Sequence, residues 1–222
     1  MNSLKLLLRF SYKPNTLGLC GRKEQEIYKL IDKEWTPNEL AKVESFVKDL
    51  KVLYAYLKSI GNACGKAPFD KDVVRACLIG WDKWDKFEVA PLLKRNLQKV
   101  AIPKKLDEIA RLPKVVPFTH SFHTLYFGAV ASDIPKVLGF ADRCKVSIGK
   151  MIDENTAEYN QLLPGLDICN GKMSVETQFV DAQPGEDVFI HHGVVFKKVE
   201  GLEKQIYQDN LERVIHATAS SW

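Results

Sequence analysis

Residues Asp187 to Val199 read DVFIHHGVVFKKV, and the Val, Phe and Ile residues on both sides of the two histidines and the glycine predict a β-strand. A proline–glycine turn precedes the strand, and His191 and His192 are neighbours within it. Neighbouring side chains on a strand point to opposite faces of its sheet. We therefore expect one histidine to face a core or a site and the other to face solvent, with Gly193 allowing the backbone to bend.

Three more stretches have strand-like patterns, and turn-forming residues separate them. They are Cys144 to Ile152 (CKVSIGKMI), Thr156 to Leu163 and Lys172 to Phe179. Short strands at this spacing predict a small antiparallel barrel of the oligonucleotide-binding type. An amphipathic helix at Leu202 to Ala217 is expected to close it. A thiol on one strand and an imidazole on another can meet in such a barrel.

The first half of the chain has a different period, because its apolar residues recur at three- and four-residue steps. This period predicts helices across residues 22–111. The segment Thr36 to Glu39 is expected to start one long helix, and Gly61 is expected to end it. Further short helices are predicted at Lys104 to Leu112 and at Ile134 to Phe140.

Residues 12–21 (YKPNTLGLCG) interrupt the helical pattern, since a proline, an asparagine and two glycines favour turns there. We expect an irregular loop in this segment. Cys20 lies in the loop, and two interpretations of it stay open. It is either a small buried residue in a tight loop or a thiol that the loop presents near a site.

Together these patterns predict an α+β protein with three parts. An all-helical domain is expected at residues 1–115, and a histidine-containing connector at residues 116–143. The small β-barrel with its closing helix is expected at residues 144–222.

Composition excludes several classes of protein. The chain has 222 residues, of which 45% are hydrophobic and 27% are charged, and this is the usage of globular proteins rather than disordered ones. A net charge of +4 is only a weak argument for a nucleic-acid partner, so none is expected. The apolar run Leu6 to Leu8 is too short for a signal peptide, and no run approaches a membrane span. We therefore expect a cytoplasmic protein without a membrane partner.

The five cysteines are odd in number and widely spaced, and no two of them form a CxxC pair. In a cytoplasmic protein this usage favours free thiols over a disulfide framework. It also argues against a structural zinc site built from cysteine pairs.

Two histidines, His120 and His123, lie in the aromatic segment FTHSFHTLYF that begins at Phe118. Their spacing places both on one face of a helix or on opposite faces of a strand. Alone, this spacing is a weak signal for metal binding, and one ring can equally bond a backbone carbonyl while the other is half exposed. Their position immediately before the predicted barrel makes a site an equally good interpretation.

Two motifs in the last third of the chain resemble the HypC/HupF family of small chaperones in nickel–iron hydrogenase maturation. One is the cysteine strand from Cys144 with its Gly149-Lys150 pair, and the other is PGEDVFIHHGVV, which begins at Pro184. The resemblance covers about residues 143–219. The cysteine in that family lies at the free N-terminus, whereas Cys144 lies behind about 140 other residues.

This resemblance implies an accessory protein rather than an enzyme, which holds an iron fragment or an apo-enzyme through Cys144 and His191. The implied cofactor is iron, which carries carbon monoxide and cyanide, and the implied partner is a metalloenzyme or another maturation protein. Thiolate suits such soft iron. Lys145 or Lys150, or a nearby histidine, is expected to lower the pKa of the thiol.

Other residues receive secondary roles in this hypothesis. Those expected to add metal ligands or form a lid are Cys20, His120 and His123. Those expected to contribute to binding are Lys150, His192 and Gly193.

The whole chain also resembles an uncharacterised prokaryotic family with three short motifs. The matching segments are Pro14 to Gly21, Pro117 to His123 and Asp142 to Val146. This second resemblance implies an architecture and candidate residues but no reaction. Three other functions stay open: a metal-free protein-binding scaffold, a thiol- or metal-dependent enzyme, and nucleic-acid binding through the barrel.

Overall fold

In the computed structural model, helices precede residue 130, strands lie between Ser147 and Lys198, and one helix follows the strands. The structure describes residues 2–21, 24–100, 112, 116–129, 141–163 and 166–219. The helices are α1 (Ser3–Thr16), α2 (Pro37–Asp49), α3 (Lys51–Cys64), α4 (Lys71–Leu78), α5 (Val89–Gln98), α6 (His120–Phe122) and α7 (Glu203–Ala219). Short 3-10 turns lie at Glu26–Leu30 and Trp84–Lys86, and α6 continues as a π-helix at His123–Ala129.

Five strands form one antiparallel sheet in the order β3-β2-β1-β4-β5. They are β1 (Ser147–Asp153), β2 (Thr156–Leu162), β3 (Ile168–Ser174), β4 (Asp187–His191) and β5 (Val194–Lys198). A parallel bridge joins Glu176 to Val194. In this bridge the Glu176 amide donates to the Gly193 carbonyl at 2.8 Å. The chain after β3 thus returns to β5 and curls the sheet into a partly open barrel, so the predicted α+β class is confirmed.

The predicted single strand across Asp187 to Val199 is wrong, because a hairpin turn divides it. His192 and Gly193 form the turn, with φ angles of +50° and +76°. Two-residue hairpin turns favour positive φ at both positions, and glycine adopts that conformation without steric cost. His191 ends β4 and is 1% exposed, whereas His192 is half-buried in the turn.

Cys144 does not lie in a strand, which is a second correction. Residues 141–144 are helical, and the Lys145 amide donates to the Ala141 carbonyl at 2.8 Å. The strand begins only where Ser147 pairs with Ile190 of β4. Cys144 and Val146 are therefore apolar because they are buried, not because they pair in a strand.

The predicted loop at residues 12–21 is wrong in its first part, since α1 continues through Pro14 to Thr16. A proline inside a helix leaves the carbonyl four residues earlier without its donor, which is Phe10 here. The structure compensates by bonding that carbonyl to His191 at 2.8 Å. The remaining loop is held by Asn15, whose side-chain amide donates to the Cys20 carbonyl at 2.7 Å.

The long helix predicted from Thr36 to Gly61 is two helices that meet at Leu50. Its predicted start is confirmed by a capping box between Thr36 and Glu39. Leu50 has a ψ of +67° and breaks the helical path. The second helix passes through Gly61 and ends at Cys64, with Gly65 as its C-cap. A Cβ on Gly61 would lie 2.7 Å from the Lys66 carbonyl oxygen, so this glycine permits close packing.

The helices predicted at Lys104 to Leu112 and Ile134 to Phe140 lie outside the described residues, Leu112 excepted. Within the ranges that the structure describes, no helix is both long and apolar enough to cross a membrane.

Helix α1 packs between the other helices and the barrel. Its buried side chains, Leu7, Leu8 and Phe10 among them, belong to a core cluster that also contains Phe189 and Phe196 of the barrel. A separate, smaller cluster contains the neighbouring strand residues on β4 and β5. Because successive side chains alternate between faces, β4 and β5 are buried on both faces. This places His191, at the end of β4, beside α1.

A buried ion pair fixes the chain on both sides of Cys144. The Lys145 ammonium lies 2.9 Å from the Asp142 carboxylate, and it also donates to the Ser147 hydroxyl at 2.7 Å. Asp142 accepts from the Tyr159 hydroxyl at 2.9 Å and from the Leu162 amide at 2.7 Å. Burial lowers the pKa of Lys145, and the Asp142 carboxylate opposes this shift. The network therefore ties residues 141–147 to β2.

Replacing Asp142 with alanine should lower the free energy of unfolding by about 3–5 kcal/mol, because Lys145 would be left buried without its counter-charge. Urea denaturation measures this change. The control is Glu44→Ala, which breaks an exposed pair with Lys48 and should cost less than about 1 kcal/mol. The double variant Asp142→Leu/Lys145→Met should recover only part of the loss, because the Tyr159 hydroxyl and the Leu162 amide would still lack their acceptor. Equal losses of unfolding free energy in Asp142→Ala and Glu44→Ala would contradict the prediction.

Candidate metal centre

Three side chains with metal-ligating atoms converge from three elements. His120 begins α6, Cys144 ends the helical turn before β1, and His191 ends β4. Their ligand atoms lie within 4.8 Å of one another, and Cys144 Sγ lies 3.8 Å from His120 Nε2. Tetrahedral bonds of about 2.0–2.3 Å place ligand atoms about 3.3–3.8 Å apart. The cluster would need to close by about 1 Å at its widest pair to fit an ion.

His191 presents an unpartnered nitrogen to the cluster. Its Nδ1–H donates to the Phe10 carbonyl, and the ring stacks on Phe10 with centroids 3.9 Å apart. This bond selects the tautomer whose Nε2 carries the lone pair. The Nε2 atom is buried and makes no hydrogen bond to the residues that the structure describes, although the Cys144 carbonyl lies close enough to the ring to act on its pKa. A buried polar atom left unsatisfied costs about 1–3 kcal/mol, so the arrangement points to a missing partner such as a ligand.

The positions of His120 and Cys144 are also fixed by local contacts. Thr119 caps α6 by accepting from the Phe122 amide at 3.1 Å, which orients the first residue of that helix. The Phe10 ring meets the His120 ring edge-on at 4.8 Å. Cys144 is held by the ion-pair network on its flanks, and the Thr124 hydroxyl bonds its thiol.

Burial makes all three groups neutral at pH 7. It lowers the pKa of His120 well below its usual range and that of His191 to about 3, while the Cys144 carbonyl opposes both shifts. Burial also raises the pKa of the Cys144 thiol to about 12. The expectation that a lysine or a histidine would lower this pKa is therefore wrong, since the Lys145 ammonium is engaged by Asp142. Neutral imidazole is the metal-binding form, and the thiol would release its proton to an ion.

A cavity of about 780 Å³ adjoins the cluster. All five predicted metal ligands line it: Cys20, His120, His123, Cys144 and His191. His123 lies on the π-helix with its ring 6.4 Å from that of His120, and burial lowers its pKa to about 4. Cys20 is close enough to Cys144 to raise the pKa of its thiol further. The structure thus brings three predicted ligands together and places the other two on the cavity wall.

The residues predicted to contribute to binding lie elsewhere. Lys150 is exposed on β1, and His192 and Gly193 form the hairpin turn. None of the three is among the residues that line the cavity. Phe10, which contacts both histidine rings, is a part of the site that no motif in the sequence predicted. Pro14 was the available signal, because a proline in a helix frees the carbonyl that orients His191.

Two imidazoles and one thiol on the wall of a cavity define a candidate metal centre with room for a further ligand. The chain belongs to the family of unknown function DUF6390, whose model matches residues 2–221. No curated protein and no solved structure matches it. The membership agrees with the whole-chain resemblance to an uncharacterised family and gives no support to a relationship with the HypC/HupF chaperones.

The metal-free protein should lose stability as the pH falls from about 6.5 toward 4, because unfolded histidine has a pKa of about 6.5. The folded pKa values are lower, about 3 for His191 and about 4 for His123. In this window the unfolded chain binds more protons, so acidification favours unfolding. His191 alone should contribute a loss of about 1.4 kcal/mol per pH unit.

Urea titrations at several pH values in the presence of a chelator measure this effect. The variant His191→Asn, which keeps a nitrogen donor for the Phe10 carbonyl, should have a shallower pH dependence. A free energy of unfolding that stays constant between pH 7 and pH 5 would show that the imidazoles are not buried in neutral form.

Proposed function

We propose that this protein binds a transition-metal ion through His120, Cys144 and His191 and keeps one coordination position open to the cavity. The observation that carries this proposal is the Nε2 atom of His191, which is buried without a hydrogen-bond partner among the described residues, in a cluster of ligand atoms within 4.8 Å. Ordinary core packing would leave that atom with an uncompensated desolvation cost.

The ligand set favours a borderline or soft ion. Imidazole suits zinc, iron, copper and nickel, and thiolate selects the softer members of this group. Sites with three protein ligands and an open position act on a bound molecule, whereas structural zinc sites have four protein ligands. The cavity beside the cluster supports the first type. We infer that the ion binds or activates a small molecule there.

Replacing Cys144 with alanine should reduce bound metal from about one equivalent to a small fraction, and lower affinity more than about 100-fold, because the only anionic ligand is lost. His191→Asn should have the same effect while it retains the bond to Phe10. The control is Cys169→Ala, which removes a half-buried thiol on β3 and should leave metal binding intact.

Metal content after anaerobic purification and titration with zinc give the stoichiometry. Titration with cobalt shows whether a thiolate-to-cobalt charge-transfer band appears. A wild-type protein that binds neither ion would overturn the proposal. Binding that survives in the Cys144→Ala variant would overturn the assignment of the ligands.

A second candidate function is an accessory protein that holds an iron fragment with carbonyl and cyanide ligands for a metalloenzyme or a maturation partner. The shelter of the cluster supports it, since Cys144 is 6% exposed and His191 is 1% exposed. One thiolate and adjacent imidazoles are donors that suit soft iron. This candidate uses the same protein ligands as the proposed metal centre. It differs in what they hold, which is an iron fragment with carbonyl and cyanide ligands instead of a single ion.

Infrared spectra of protein purified anaerobically from a host that makes such fragments separate the two candidates. A carrier should show carbonyl and cyanide stretching bands that disappear in Cys144→Ala, because the thiolate holds the iron. Bound metal without these bands would show that the protein carries no iron fragment in that host. The metal centre with an open coordination position would then stand as the better candidate.

A further inference from the structure

The geometry points to a small apolar carboxylate as the molecule that the cavity takes, with its carboxylate at the amino end of α3 and its other end at the metal centre. This inference rests on the proposed metal site and adds the chemical class of its ligand. Two separate features of the cavity carry it: an uncapped helix end and the unpartnered His191 nitrogen.

The first amides of α3 make no hydrogen bond to the residues that the structure describes. Leu50 precedes the helix and forms no side-chain cap, and the first turn contains no acidic residue. The amides of Lys51, Val52 and Leu53 have no acceptor within the part of the chain that the structure describes. Free amides and the helix dipole together favour a bound anion at this position.

The break between α2 and α3 creates this end. Leu50 has a ψ of +67°, and its amide donates to Val47 while its carbonyl accepts from Tyr54. The backbone therefore turns at one residue, and the amides that follow do not reach the carbonyls of α2. A continuous helix would have satisfied them internally.

Both ends of the proposed ligand site belong to one cavity. The residues that line it include Leu50 to Leu53 at one end and the three metal-ligating side chains at the other. The loop after α1 connects them. A Cβ on Gly21 would lie 2.8 Å from the Leu50 side chain, and the neighbouring Cys20 interacts electrostatically with Cys144.

The walls of the cavity are mainly apolar. They include Phe10, Pro14, Leu19, Val52, Leu53 and Val100. The volume of about 780 Å³ lies within the range of about 300–1,000 Å³ for small-molecule sites. Lys51 and Asp49 both line the cavity, and both are exposed, so water screens their opposite charges. An apolar molecule with one carboxylate matches these walls and this helix end.

Octanoate and octanol are matched probes, because they share an apolar chain and differ in the anionic group. Isothermal titration of the zinc-loaded protein should show octanoate binding about tenfold more tightly than octanol. Val52→Asp should remove this preference, since its carboxylate occupies the helix end. Val52→Asn is the matched neutral control and should keep most of the preference.

Val52 is partly buried against the core, so both variants lose apolar packing and Val52→Asn controls for that loss. Relative to asparagine, an acidic residue in the first turn also stabilises the helix. The thermal midpoint of Val52→Asp should therefore equal or exceed that of Val52→Asn. Equal binding of octanoate and octanol, or no binding of octanoate, would overturn the inference, as would a Val52→Asp variant that still prefers octanoate. Zinc binding that persists in those cases would leave the metal site standing.

The converse result is also informative. If the wild-type protein binds no zinc or cobalt but binds octanoate, and Val52→Asp abolishes that binding, the anion site would be supported and the metal centre overturned. The two proposals therefore fail separately.

Discussion

The bond from His191 to the Phe10 carbonyl is the interaction on which the site depends. Pro14 has no amide hydrogen, so the carbonyl four residues earlier in α1 lacks its helical donor. The imidazole of His191 supplies one at 2.8 Å and at the same time stacks on the Phe10 ring. One bond thus joins α1 to the barrel, satisfies a buried acceptor, and directs the other ring nitrogen toward Cys144 and His120.

Burial gives this cluster its chemical character. In water the imidazoles would titrate near neutral pH, but in the protein they stay neutral, and the thiol keeps its proton. Three neutral ligands can be packed together without repulsion. An arriving cation would replace the thiol proton and balance the charge of the thiolate. Desolvation that costs stability in the metal-free protein therefore favours ion binding.

Local sequence rules predicted much of the fold and less of the site. Alternation and turn residues indicated the barrel, and the capping box at Thr36 was predicted correctly, because such signals act over a few residues. The rules failed at Pro14, which was expected to end regular structure, and at Leu50, where nothing in the local pattern predicts a break. They also failed at Cys144, where tertiary burial imitates the pattern of a strand. The convergence of His120, Cys144 and His191 depends on packing between distant segments, and no local period encodes it.

The supports of the cluster are scattered along the chain, from Phe10 in the first helix to His191 near its end. The ligands are separated by loops that an unfolded chain closes only at an entropic cost. No peptide segment can therefore preform the centre, and the barrel alone lacks the carbonyl that orients His191. Under the proposed function, loading with metal would consequently follow assembly of both halves. The cavity would then serve both as the route by which an ion enters and as the place where its further ligand binds.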